Sequence, residues 1–271
     1  MLIAQITDTH ITRERKPAYN RVDTAAYLER AVAHVNALDP RPDIVVMTGD
    51  LVDEGSAGEY AILRDILAPL SMPVYLMPGN HDARGALRAG FPDHPYLAQG
   101  GEWIQFAIEE YPLRLLALDT VTPGRGHGEL CEGRLGWLSD RLAEQPDRPT
   151  LVMLHHPPFP TGIAHMDKIG LLQGAEALGE ILSRHSQVQR VICGHLHRPI
   201  QAVWHGTPVS VAPSPAHQVA MDLRPDGPSA FMMEPPAIHL HSWTPAGLVT
   251  HQSYIGAFDG PYLFKDGSPA G

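Results

Sequence analysis

The chain has 271 residues, of which 44% are hydrophobic and 18% charged, and a net charge of −10. This is the composition of a soluble globular protein with length enough for one large domain or two smaller ones. The acidic balance, with no basic stripe to offset it, excludes a nucleic-acid backbone as the main partner, and no apolar run approaches the roughly 20 residues of a membrane span.

Cys131 and Cys193 are too few for a disulfide framework and lack Cys-x-x-Cys spacing, which predicts a reducing compartment. The first residues already read as a strand rather than as a basic segment followed by an apolar one, so a cytoplasmic protein is expected.

Leu2 to Thr7 is a short apolar run that closes in Asp8-Thr9-His10, a buried first strand with a polar tip. Residues 11–22 form a loop that carries Tyr19. Asp23 can cap the next segment, where Ala26, Leu28, Ala31, Val32, Val35 and Leu38 fall at helical spacing until Pro40 and Pro42 end it. Asp43 to Thr48 is a second strand ending in Gly49-Asp50, and Glu59 to Leu70 is a helix. Pro73 to Met77 is a third strand, ending in Pro78-Gly79-Asn80-His81-Asp82. This alternation predicts a parallel sheet with right-handed crossovers.

Trp103 to Ile108 and Arg114 to Leu118 read as an antiparallel pair, followed by a glycine-rich loop at 124–133 and a helix from Arg134 to Leu142. Thr150 to Leu154 is a strand closed by His155-His156-Pro157-Pro158; residues 159–173 are a loop, and Ala175 to Ser183 a helix. Gln189 to Cys193 is a strand ending in Gly194-His195-Leu196-His197. Short strands at Ile200 to Trp204 and Pro208 to Val211, and a hairpin of Ile238 to Trp243 with Leu248 to Tyr254, precede a Gly/Pro-rich tail from Gly260.

Five strand ends thus carry metal-competent side chains: Asp8 with His10, Asp50, Asn80, His155 or His156, and His195 with His197. Alone, each is better explained as a cap, a turn or a satisfied polar group. Together they differ, because successive strands of one sheet bring their C-terminal ends to one edge. Oxygen and nitrogen ligands without a thiolate suit one or two borderline divalent ions. Asp-x-His and His-x-His can put both ligands on one side only at the end of a strand. Gly194 permits a close backbone approach there, and Asn80 offers a neutral oxygen.

In this order, Asp-x-His, Gly-Asp-x-x-Asp, Gly-Asn-His-Asp, His-x-Pro and Gly-His-x-His resemble the binuclear metallophosphoesterases of the calcineurin-like superfamily, over residues 8–197. Arg41-Pro42-Asp43, His155-His156-Pro157-Pro158, Met166-Asp167, Cys193-Gly194-His195, His217-Gln218-Val219 and Gly260-Pro261-Tyr262-Leu263 are similar to a subgroup of it. That subgroup comprises bacterial glycerophosphodiesterases and class III cyclic-nucleotide phosphodiesterases. Pro213-Ser214-Pro215-Ala216 departs from its pattern.

The resemblance implies an α/β fold, a four-layer α/β/β/α sandwich with a small C-terminal β cap. Residues 1–198 would be the catalytic domain, and 199–271 a β segment that completes the sandwich and forms a cap and oligomerisation region. It implies two divalent metal ions, of Fe, Mn, Zn or Co, one held by Asp8, His10 and His197 and the other by Asn80, His155 and His195, with Asp50 bridging. His155 is the ligand by the family's spacing, two residues before the proline, while His156, Asp53 and Asp82 support the ligands from behind. His81 joins Asp50 in catalysis, and His81, His217 and Tyr19 contact the substrate.

The implied reaction is hydrolysis of small phosphodiesters, glycerophosphodiesters first, by water activated at the metals. A 3',5'-cyclic-nucleotide phosphodiesterase is the alternative, and a non-catalytic metal-binding scaffold a further one. A homo-oligomer formed through the cap is expected, with no nucleic-acid or membrane partner.

Overall fold

Runs of β-branched and apolar residues build two facing sheets with helices on their outer sides, in a computed structural model that describes residues 1–269. The first third comprises β1 (Leu2–Ile6), α1 (Thr24–Ala37), β2 (Ile44–Thr48), α2 (Ala57–Leu67), β3 (Val74–Met77) and α3 (Arg84–Gly90). The middle comprises β4 (Phe106–Ile108), β5 (Arg114–Ala117), β6 (Gly128–Glu129), α4 (Glu132–Glu144), β7 (Thr150–Met153), α5 (Ala164–Asp167), β8 (Leu171–Gln173), α6 (Ala175–Ser183) and β9 (Val188–Cys193). The rest is strand: β10 (Ile200–Trp204), β11 (Thr207–Val211), β12 (Gln218–Val219), β13 (Phe231–Met232), β14 (Ala237–Thr244) and β15 (Gly247–Tyr254).

One sheet has the order β15-β14-β1-β2-β3, the other β10-β11-β9-β7-β5-β4. β1, β2 and β3 run parallel, as do β5, β7, β9 and β11, while β4, β10 and β14 join antiparallel. All of β2 is buried, because a strand covered on both faces needs apolar residues at every position. On the second sheet alternate residues part company. Leu115, Ala117, Met153 and Ile192 join the core between the sheets, whereas Leu116, Val152, Val191 and Cys193 pack with Leu138 and Leu142 of α4 and Leu178 and Leu182 of α6.

On the first sheet, α1 buries Leu28, Ala31, Val32 and Val35, each large aliphatic residue contributing on the order of 1.5–3 kcal/mol. Asp23 caps α1 by accepting from Ala26 N at 3.0 Å. The sheets are tied near their C-terminal ends by Gln5, whose amide nitrogen donates to Thr48 Oγ1 at 2.9 Å and to the Cys193 carbonyl at 3.0 Å.

The element types follow the sequence reading, with local differences. α2 starts at Ala57 because Ser56 and Glu59 form a capping box, and it stops at Leu67 because Pro69 cannot continue it. The glycine-rich loop and the 159–173 loop each contain a short strand, β6 and β8, and these pair with each other across the chain. Such a long-range bridge leaves no local periodicity to read. α3 and the 3₁₀ turn Pro95–Ala98 went unread for a related reason: Gly85 and Gly90 mask the helical pattern. The C-terminal strands extend both sheets, β10 and β11 the second and β14 and β15 the first, while β12 and β13 form a separate two-stranded hairpin.

Candidate metal centre

Three of the strand ends that carry the candidate ligands bend out of β geometry. Asp8 (φ 55°), His10 (φ 42°), Asp50 (φ 47°), His195 (φ 74°) and His197 (φ 53°) occupy the left-handed region. Each such residue costs roughly 1–2 kcal/mol, and strain of this kind clusters where the surroundings fix a functional geometry. The bends also explain the Asp-x-His and His-x-His spacing, since a left-handed residue at each end turns both side chains to one side. Close approach is essential here. A Cβ on Gly79 would overlap the Asp50 backbone and carboxylate, and one on Gly194 would overlap Thr7 Oγ1 and the Asp8 carboxylate.

The hydrogen bonds around the histidines determine which nitrogen faces inward. His155 Nδ1 lies 2.8 Å from the Thr48 carbonyl, and His197 Nδ1 lies 3.1 Å from the His217 carbonyl. A carbonyl only accepts, so both rings carry a hydrogen on Nδ1 and, in the neutral form that binds metal, leave Nε2 bare. Asp53 Oδ1 lies 3.3 Å from His10 Nδ1 and orients that ring in the same way. The bare nitrogens converge on acceptors. His10 Nε2 and His197 Nε2 are 3.2 Å apart, and His155 Nε2 is 3.2 Å from both Asp50 Oδ2 and Asn80 Oδ1.

Asp50 Oδ2 sits in the middle, 3.7 Å from His10 Nε2 on its other side. The Asp8 carboxylate accepts from the His195 amide at 3.0 Å and lies 3.6 Å from His197 Nε2, while the buried His195 Nε2 has no hydrogen-bond partner among the described residues. Lone pairs that face one another in a buried space need a cation between them. The groups Asp8–His10–His197, Asp8–Asp50–His155 and His155–His156–His195 each bring ligand atoms within 4.8 Å.

Burial sets much of the electrostatics. It pushes Asp8 up to about 6, and His195 and His217 down to about 3. His197 is likewise lowered by burial, which favours the neutral imidazole that binds metal. Burial alone would also lower His155, but the charge and hydrogen bond of Asp50 outweigh it and raise His155 to about 9. Burial alone would raise Asp50, but the charge and hydrogen bond of His155, with the charges of His81 and His10, hold it well below the usual carboxylate range.

The supporting residues are placed as follows. His156 Nε2 lies 3.1 Å from the Gly126 carbonyl and its Nδ1 2.8 Å from Thr120 Oγ1, so both nitrogens are engaged away from Asp50. Asp82 accepts from Leu51 N at 3.1 Å, Gly79 N at 2.8 Å and Tyr60 Oη at 2.8 Å, which ties two ligand loops together. His81 donates from its backbone N to Asp50 Oδ1 at 2.9 Å and from Nδ1 to the Asp53 carbonyl at 2.7 Å.

His81 stands between two cavities, of about 450 Å³ and about 620 Å³, that share it and Asn80. Tyr19 and His217 line the smaller one, with ring centroids 5.4 Å apart. Met166, of the Met166-Asp167 pair, lines the same cavity, whereas sequence reasoning missed Ile169 there and Phe231, whose ring lies 5.1 Å from Tyr19. It also missed Thr120 and Gly126 behind His156. None of these stands at a strand end or has metal-binding chemistry, so no local signal marked them.

Residues 1–199 match the calcineurin-like phosphoesterase family model. A probable glycerophosphodiester phosphodiesterase of Arcobacter nitrofigilis is 42% identical over 97% of each chain. A probable cyclic nucleotide phosphodiesterase of Rhodopseudomonas palustris is 38% identical over 96% of this chain and 94% of its own. The fold is similar to the crystal structure of a dimetal phosphatase from Danio rerio, with a TM-score of 0.65 and 15% identity over 94% of this chain and 99% of that one. The chain belongs to the calcineurin-like phosphoesterase family.

Proposed function

We propose that this protein is a metal-dependent hydrolase of small phosphodiesters, with glycerophosphodiesters as the preferred class. The observation that carries the reading is the convergence of bare histidine nitrogens and carboxylate oxygens around Asp50 Oδ2. The donor set fits divalent metal: Asp8, His10 and His197 would hold one ion, Asn80, His155 and His195 a second, and Asp50 both. His155 rather than His156 fills this role, because the His156 nitrogens are already hydrogen-bonded elsewhere. Bound divalent ions supply Lewis acidity and acidify water.

The chain's own residues do the rest. Asp53 orients His10, and through its carbonyl it fixes the His81 ring. As an imidazolium, with Nδ1–H held by the Asp53 carbonyl, His81 presents Nε2–H to the diester, donating to a phosphoryl oxygen or passing that proton to the leaving alkoxide and returning to the neutral ring. Tyr19 and His217 bound one substituent of the diester, and the larger cavity beyond His81 has room for the other. The similarity to a glycerophosphodiester phosphodiesterase over nearly the whole chain supports this substrate class. The cyclic-nucleotide reading is second, supported by the similarity to a cyclic nucleotide phosphodiesterase.

Residues 1–198 form the catalytic unit in this reading, and 199–271 complete the sandwich and mediate a homo-oligomer. The exposed Val249, Tyr254 and Phe258 support that contact, which size-exclusion chromatography with light scattering tests. A cytoplasmic location belongs to the same reading; both cysteines are free, and no helix among the described residues is long and apolar enough to cross a membrane. Cell fractionation checks it.

The main experiment pairs elemental analysis of purified protein with a substrate panel. Bound divalent metal, and a kcat/KM for glycerophosphoethanolamine at least about tenfold above that for cyclic AMP, is the expected outcome, a difference of about 1.4 kcal/mol in transition-state binding. A reversed ratio would move the assignment to cyclic nucleotides. Full activity after exhaustive chelation would end the metal-dependent scheme.

A further inference from the structure

The larger cavity beside His81, of about 620 Å³, carries charge that the reaction does not use. Its walls come from both sheets. Asp53 and Glu54 follow β2 of the first sheet and Arg125 follows β5 of the second, and all three line the cavity with Asn80 and His81.

The loop that carries Arg125 is held on both sides of it. Before it, the Val121 carbonyl accepts from Arg84 Nη2 at 2.7 Å and from Arg134 Nη1 at 3.3 Å. Gly124 (φ 72°) turns the chain, and Arg125 N donates to the Thr122 carbonyl at 3.0 Å. After it, the Gly126 carbonyl accepts from His156 Nε2 at 3.1 Å. That carbonyl puts a hydrogen on His156 Nε2, so in the neutral ring Nδ1 accepts from Thr120 Oγ1 at 2.8 Å. A loop fixed in this way presents its side chain at a reduced ordering cost.

Most other charges on the cavity are engaged. Arg84 is bidentate to Asp119, at 2.6 and 2.8 Å, and the Asp82 carboxylate accepts from three donors. Asp53 Oδ1 lies 3.3 Å from His10 Nδ1. Glu54 meets Arg13 only at the surface, where both are exposed, and such a pair contributes little. The Arg125 guanidinium enters no ion pair among the described residues, with Glu54 or any other carboxylate. It is exposed and solvated, so it bears no burial penalty, and its planar fork is available to a ligand.

A substituent bearing a second phosphate would meet the Asp53 and Glu54 carboxylates as well as Arg125, and be repelled. One that bears a carboxylate and an ammonium complements both walls. Ethanolamine offers the ammonium alone; serine adds a carboxylate, which a guanidinium matches in a bidentate pair.

We propose that Arg125 is the specificity-determining residue of the larger cavity and receives the carboxylate of an amino-acid head group, which makes glycerophosphoserine a better substrate than glycerophosphoethanolamine. This rests on the glycerophosphodiester reading above and narrows it to one head-group chemistry.

The test uses the full chain as purified with its metal. The two diesters differ by the carboxylate alone, and phosphorus NMR follows the consumption of each, with cyclic AMP in parallel. Wild type should favour glycerophosphoserine roughly fivefold in kcat/KM, mostly through KM, and added salt should shrink that ratio. Arg125→Gln should bring the ratio to about one, and Arg125→Lys, which keeps the charge without the fork, should fall between. A wild-type ratio at or below one, or an unchanged ratio in Arg125→Gln, overturns the role of Arg125 and leaves the glycerophosphodiester reading standing, because both substrates are consumed. Hydrolysis of cyclic AMP with neither glycerophosphodiester consumed overturns both.

Discussion

Two polar clusters share the layer between the sheets, and they differ in the kind of atom they turn inward. At the strand-end edge nearly every inward atom is an acceptor: the Asp8 and Asp50 carboxylates, the Asn80 oxygen and the bare Nε2 of His10, His155 and His197. Behind it, Arg190 Nε, Ser210 Oγ and His239 Nδ1 are buried atoms without a hydrogen-bond partner among the described residues. Converging lone pairs ask for a cation, and at the strand-end edge the carbonyls behind His155 and His197 turn those lone pairs inward.

The largest expected effect breaks the acceptor cluster at its centre. Asp50→Ala removes the oxygen that His10 and His155 share, so bound metal should drop below the wild-type stoichiometry and kcat should fall on the order of 10³-fold or more; elemental analysis and steady-state kinetics check both. Retention of all metal and rate would mean that Asp50 is not the shared ligand. Next comes a change that leaves the acceptors intact. His81→Ala should keep the metal content and lower kcat by roughly 10²–10⁴-fold, with the loss greatest for substrates with poor leaving groups, because a proton donor matters most there. Equal losses for good and poor leaving groups would assign His81 to phosphate binding alone.

The second cluster is probed through pH. Burial, with Arg190 beside it, pushes His239 down to about 4 from an ordinary 6.5. The folded state therefore favours the neutral ring; its contribution to stability is complete above pH 6.5 and is lost as pH falls toward about 4. His239→Gln cannot titrate. The stability advantage of wild type over this variant should shrink on the order of 1–3 kcal/mol across that window, as read from urea midpoints; a constant difference would refute it. The smallest effect concerns the wall of the acceptor site. Tyr19→Ala should raise KM about threefold to tenfold with kcat nearly unchanged, consistent with one aromatic contact; a large fall in kcat instead would make Tyr19 part of the chemistry.

Legibility in the sequence follows the same division. Asp8, Asp50, Asn80, His155 and His195 each close an apolar run, so strand and ligand announce themselves together, and the parallel-sheet rule brings the ends to one edge. The choice of His155 over His156 rests on family spacing, and the proposed reading draws support from the Thr120 and Gly126 partners of His156. The left-handed backbone at the ligands, the β6–β8 bridge and the packing of Phe231 on Tyr19 had no local signature.

By itself the sequence determined the order of strands and helices, the residues at the strand ends and the class of ion they favour, because hydrophobic period and side-chain chemistry are local properties. The tertiary structure decided which histidine nitrogens point inward, and that Tyr19, His217 and Phe231 meet at all. Those outcomes depend on which carbonyl lies behind a ring and which face of one sheet opposes the other, and residues far apart in the chain set both.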